Sequence, residues 1–143
     1  MDGVGIGAWY LAVHHRTTGL ATMGGTLEGV IEATRETFRA LVAQSLVLVD
    51  VWGPECRPCL ALMPHVERIA AERPELSVVK LEAPKARRIC IEMQVHGLPT
   101  FLLLREGTEA ARLSKSTISP GELEDWLDES IGEAGGGDAV ASG

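Results

Sequence analysis

Apolar positions along residues 30–131 switch between a continuous or alternating texture and a helical period, and the switches mark out the elements. Leu46–Val51 is an apolar run interrupted only by Asp50, the length and texture of a strand covered on both faces. Trp52-Gly53-Pro54 breaks it, and from about Cys59 to Glu72 the residues Leu62, Val66, Ile69 and Ala70 recur at core-facing helical spacing,. Pro64 lies inside that helix and should kink it, because it removes a backbone donor and crowds the preceding turn. Ser77–Leu81 reads as the next strand, with Lys80 within it, and Lys85–Met93 as a shorter helix carrying Cys90. Thr100–Leu104, the turn Arg105-Glu106-Gly107 and the return strand Glu109–Leu113 predict a β-hairpin,. Ser119-Pro120-Gly121-Glu122 then has the form of a capping box with proline at the first helical position, opening a helix whose core face is Leu123, Trp126, Leu127 and Ile131,. Upstream, Val30–Glu32 predicts a short first strand, and Thr34 an N-cap for a helix that buries Phe38, Leu41 and Val42,. Alternating strands and helices followed by a hairpin and a last helix indicate an α/β domain, with a mixed sheet between helical layers.

The flanks lack this patterning. Residues 1–25 are Gly-rich and carry His14-His15, which have no ligand-spaced partner nearby and read as part of an irregular extension, with a second methionine, Met23, just before the domain. Residues 26–131 form the patterned domain, and residues 132–143, with five glycines among small and acidic residues, read as a disordered tail,. The 143 residues suit one domain, and 45% hydrophobic content supports a core without a metal or disulfide scaffold,. A net charge of -7 with an isoelectric point near 5.1 argues against nucleic acid or an anionic membrane as partner,. Val4–Val13 is the one stretch that mimics a targeting signal, yet Asp2 rather than Lys or Arg precedes it and it is too short to span a bilayer,.

Three cysteines in a chain this long are no disulfide framework,. Cys56 and Cys59, two residues apart at a strand-turn-helix junction, read instead as redox chemistry in a reducing compartment, and the cytoplasm is the expected location. Unpaired N–H groups and the positive end of the helix dipole converge on Cys56 and favour thiolate over thiol. Half of a structural zinc site is the competing reading, with His65 and Cys90 as the remaining candidate ligands; with no second CxxC, no metal is expected,. Asp50, a carboxylate in a covered strand, should have a raised pKa unless it is paired.

Asp50-Val51-Trp52, Cys56-Arg57-Pro58-Cys59 and Gly97-Leu98-Pro99-Thr100 together resemble the three signatures of the thioredoxin family, in the family's order, and the likeness extends over Gly29 to about Ile131. The resemblance implies a central mixed five-stranded sheet flanked by four helices. It implies Cys56 as the nucleophile and Cys59 as the resolving thiol, Asp50 as the buried proton acceptor for Cys59, and Lys80 as the partner of Asp50 on the adjacent strand. Strand-end and surface roles for Asp50 and Lys80 are the alternatives. It also implies a cis peptide before Pro99 that leaves the Leu98 backbone free to pair with an extended substrate. Trp52 and Pro54 should flank the dithiol as an apolar docking rim, although core packing of Trp52 is a close competitor. Arg57 and Pro58 occupy the variable centre of the motif, where a guanidinium either stabilises the Cys56 thiolate or is screened by water.

Two departures qualify the likeness. Glu55 stands where the family commonly has an aromatic, and it opposes or pairs with Arg57. Leu113-Ser114-Lys115-Ser116 replaces a glycine that helps line the family's substrate groove, which adds bulk there. Cys90 reads as a small buried hydrophobe, and His65 and His96 as polar surface residues. The expected function is a monomeric thiol–disulfide oxidoreductase that passes electrons to disulfide-containing proteins through its own redox-active disulfide and needs no other cofactor. A separate reductase resembling thioredoxin reductase would recharge it, since the chain has no flavin or nicotinamide fingerprint. The alternative is a thioredoxin-fold binding module or holdase whose dithiol is regulatory or idle.

Overall fold

A computed structural model of the chain describes residues 29–136; the expectations for residues 1–28, His14-His15 included, and for residues 137–143 lie outside that range. Five strands form one sheet in the order β1-β3-β2-β4-β5, where β1 is Val30–Ala33, β2 Leu46–Trp52, β3 Ser77–Glu82, β4 Thr100–Arg105 and β5 Thr108–Ser114. The first three are mutually parallel, while β4 runs antiparallel to β2 and β5 to β4. The described α-helices are α1 (Phe38–Leu41), α2 (Arg57–Glu72), α3 (Arg87–Glu92) and α4 (Pro120–Gly136).

The continuous apolar run of β2 reflects its central position, buried along both faces from Leu46 to Val51. Strand alternation sends Val47, Val49 and Val51 into one core layer with Phe38 of α1 and Ile89 of α3,. Leu46 and Leu48 go to the opposite layer with Leu62, Val66 and Ile69 of α2 and Leu123 and Leu127 of α4. Asp50 has the parity of Leu46 and Leu48, so it faces the side covered by α2. That parity decides the chemistry described below.

Local signals account for most boundaries. Thr34 and Thr37 exchange reciprocal backbone-to-hydroxyl bonds of 2.9 and 3.2 Å, so Thr34 does open a turn, but regular helix begins only at Phe38. Glu106 and Gly107 both have positive φ, 55° and 83°, as a two-residue hairpin requires to match the strand twist,. A register shift at Leu103/Leu104 adds a bulge to the same hairpin,.

Three expectations change. The segment expected as one helix over Lys85–Met93 divides into a 3₁₀ turn, Ala83–Lys85, and α3, because Ala86 leaves the helical region and packs into the core. Pro64 lies inside a helix that is continuous from Arg57 to Glu72. Pro64 is exposed there, so the helical bond lost by the Leu60 carbonyl falls on the solvent side. The Ser119 hydroxyl caps the Glu122 N–H at 3.0 Å, but the Glu122 carboxylate pairs with Lys115 rather than completing the box. Finally, α4 continues five residues past Ile131 to Gly136; each glycine costs a helix only about 1 kcal/mol relative to alanine, and packed turns upstream carry it on.

Candidate functional site

The dithiol sits where β2 ends and α2 begins. Cys56 is the N-cap of α2, with extended backbone, and its Sγ accepts the Cys59 N–H at 3.2 Å. Sulfur therefore takes the place of the usual hydroxyl or carboxylate cap and satisfies one of the helix's orphan donors. Pro58, in the first turn, gives up no bond that the helix would have used,. The two cysteines are joined in a disulfide with Cα atoms 5.2 Å apart. They differ in access: Cys56 is half-buried, whereas Cys59 is 1% exposed. Of the two residues, Cys56 is the one with surface open to a reactant from outside.

Beneath α2, Asp50 is 1% exposed and neither carboxylate oxygen has a hydrogen-bond partner among the described residues. Burial pushes its pKa up to about 7, and the Lys80 charge pulls against that rise,. Lys80 is in register with Asp50 across the β2–β3 ladder, yet its ammonium lies over the Trp52 ring, 5.3 Å from the centroid, and makes no ion pair with Asp50. Asp50 can thus hold or release a proton near neutral pH, on the side of the sheet where α2 presents Cys59. The covered-strand reading of Asp50 is the one the packing supports.

Opposite the dithiol, Leu98–Pro99 is a cis peptide. Among the described residues the Leu98 backbone N–H and C=O make no hydrogen bond. Gly53, three residues before Cys56, allows this loop to come close: a Cβ there would stand 3.1 Å from Leu98 Cδ1 and 3.9 Å from Pro84 Cδ. Leu98 and Pro84 also border an open groove of about 430 Å³, lined further by Ile91, Val95, Cys90 and the cationic Arg87.

Of the other expected residues, Trp52 and Pro58 are half-buried and Pro54 and Arg57 are exposed. Among the described residues no ion pair joins Glu55 to Arg57. Cys90 is free and buried, and burial pushes its thiol pKa up. His96 is exposed, but His65 is not the surface residue expected: its side chain is 15% exposed, with Nε2 3.0 Å from Glu124 Oε2. Arg73 joins the same cluster by bonds to Glu124 and Asp128 at 2.9 and 2.6 Å, tying α2 to α4. The partner helix that gives His65 and Arg73 these contacts is supplied only by the fold.

Arg112, which the sequence did not single out, and Thr100 of the Gly97–Thr100 signature reach the Leu98 loop from the hairpin, and Ser114 backs Thr100. Arg112 bonds the carbonyls of Met93 and Gln94, and Thr100 Oγ1 bonds that of Gly97. An arginine two residues before Ser114 on the edge strand was the available signal.

The thioredoxin family model matches residues 29–129. Thioredoxin C-3 of Corynebacterium nephridii is 30% identical over 103 residues, covering 71% of this chain and 70% of the relative. The thioredoxin of Buchnera aphidicola is 37% identical over 105 residues, covering 71% of this chain and 96% of its own. Among solved structures, thioredoxin F from spinach chloroplast superimposes with a TM-score of 0.65 at 23% identity, over 71% of this chain and 93% of that one, which speaks for the fold alone.

Proposed function

The chain belongs to the thioredoxin family and is a thiol–disulfide oxidoreductase, and from that premise we propose that it works as a reductase of protein disulfides, with roles divided by burial. In its reduced form the half-buried Cys56 thiolate attacks one sulfur of a partner disulfide. A Cys56–partner disulfide forms, and the other partner sulfur leaves as thiolate and takes up a proton. Asp50, ionised at this stage, accepts the proton of the buried Cys59 thiol as general base. The Cys59 thiolate attacks Cys56 Sγ, so the Cys56–Cys59 disulfide forms and the second partner thiolate departs. Two electrons have passed to the partner. A separate reductase must return them, and no further cofactor enters these steps.

The observation that carries this reading is the unequal access of the two sulfurs, Cys56 half-buried at the helix cap and Cys59 at 1% exposure. The attacking atom and the resolving atom are distinguished before any substrate arrives. Lys80, above Trp52, supplies the positive charge that holds the Asp50 pKa from rising further. Trp52, Pro54, Arg57 and Pro58 form one side of the substrate cleft and Leu98 with Pro99 the other. The free Leu98 N–H and C=O suit an extended substrate segment added as a strand. The expected setting is the cytoplasm, as a monomer; no helix among the described residues is long and apolar enough to cross a membrane.

Insulin reduction with dithiothreitol as reductant tests the proposal. Wild-type protein should accelerate precipitation of the insulin B chain, and Cys56→Ser should not. Equal rates would instead support a binding module with an idle dithiol.

A further inference from the structure

The connection from Gln94 to Pro99 bears the Leu98 backbone, yet it belongs to no helix or strand. Among the described residues, the N–H groups of His96, Gly97 and Leu98 find no backbone partner, and Val95 N–H to Cys90 O at 2.8 Å is the last bond tying the segment to α3. A connection so weakly held by its own backbone should wander unless something else fixes it.

Val95 and Leu98 pack against the core, and side chains of β4 and β5 hold the two ends. At the α3 end, Arg112 Nη2 donates to Met93 O at 2.6 Å and Nη1 to Gln94 O at 2.8 Å. The first is the C-cap carbonyl of α3, which a helix terminus leaves without a partner, and the second follows it,. The guanidinium is itself oriented by Glu109, which accepts from Nε at 2.7 Å and from Nη2 at 2.8 Å. At the other end, Thr100 Oγ1 lies 2.6 Å from Gly97 O and 2.7 Å from Ser114 Oγ. A carbonyl can only accept, so the single Thr100 hydroxyl hydrogen goes to Gly97 O, and Ser114 must be the donor to Thr100. The proton order is Ser114 to Thr100 to Gly97. Arg112 and Ser114 are two residues apart on one strand, in register with Leu102 and Thr100, and so project from the same face of β5.

We propose that Arg112 and Ser114 are positioning residues that brace the Leu98 loop for substrate pairing, with Glu109 and Thr100 as their intermediaries. The proposal rests on the exchange function above and adds which side chains set affinity for extended substrates. Reactants too small to pair with Leu98 should not sense the brace.

Two readouts separate this from a general loss of structure. In insulin reduction with dithiothreitol, Ser114→Ala should raise KM about fivefold with little change in kcat, the loss expected of one hydrogen bond. Ser114→Thr, which keeps the hydroxyl, should stay near wild type. Arg112→Lys keeps the charge but not the fork and should behave like Arg112→Gln, both raising KM. Single-turnover oxidation of the pre-reduced proteins by dithiobis(nitrobenzoic acid), a disulfide with no polypeptide, should proceed at the wild-type rate in all four variants. An unchanged insulin KM in both Ser114→Ala and Arg112→Gln overturns the brace, as does an equal loss with the small disulfide. A wild type inert towards both disulfides overturns the exchange function and the brace with it.

Discussion

Replacing Asp50 with asparagine should leave the protein's stability less dependent on pH, in a direction and window that follow from the burial of that one carboxyl. In the unfolded chain an aspartate titrates near about 3.9, whereas in the folded protein burial lifts Asp50 to about 7. A raised carboxyl pKa means that the native state binds the proton more tightly than the unfolded state does. The resulting stabilisation is complete below about pH 4, fades as pH rises, and is gone above about pH 7. Three units of difference at about 1.4 kcal/mol each amount to roughly 4 kcal/mol over the whole window. Because Asp50 is 1% exposed, solvent screening does not reduce that figure much.

The neutral amide that Asp50→Asn introduces does not titrate, so its cost or benefit is the same at every pH and cancels in a difference. Urea unfolding of the oxidised proteins at about pH 5 and about pH 8 isolates the effect. Between these values the wild type should lose about 3 kcal/mol more than Asp50→Asn, corresponding to the two pH units below the folded pKa. Other groups titrate in both proteins alike. Parallel pH dependence in wild type and variant would falsify the assignment of a proton to buried Asp50, and with it the general-base role.

The other expectations are more direct. Cys59→Ser should accumulate a mixed disulfide between Cys56 and a protein substrate, visible as a dithiothreitol-sensitive band on a non-reducing gel; if the trapped species instead forms with Cys56→Ser, the division of roles is reversed. Leu127→Ala removes a fully buried side chain between α4 and the sheet and should cost about 2–5 kcal/mol in urea unfolding; a loss under about 1 kcal/mol would mean that α4 does not seal that layer. Gly53→Ala brings a methyl to 3.1 Å from Leu98 Cδ1, so insulin KM should rise at least about twofold as Leu98 gives way, while the midpoint of unfolding barely moves. An unchanged KM would show that Leu98 is free to relax without affecting substrate.

The strands were legible because each carries its own texture. The apolar run on either side of Asp50 has the texture of a central strand, and Glu106-Gly107 could adopt the left-handed pair of conformations a tight hairpin needs. The nucleophile was equally local, since a cysteine two residues before a proline-started helix turn and just after a strand lands at the cap whatever the rest of the chain does. The first helix and the helix within Lys85–Met93 are shorter than their sequence pattern because their ends are set by what Phe38 and Ala86 pack against.

Sequence by itself determined the class of the domain, the order of its elements and the reactive pair at Cys56 and Cys59, all consequences of interactions within a few residues. Tertiary structure alone decided which sheet face Asp50 occupies, that Lys80 rests on Trp52, that His65 lies against Glu124, and that Arg112 and a Ser114-backed Thr100 grip the Leu98 loop. These last depend on a strand order, β1-β3-β2-β4-β5, that brings together residues far apart in the chain. Local propensity has no term for such pairings; only burial of two core layers at once selects them.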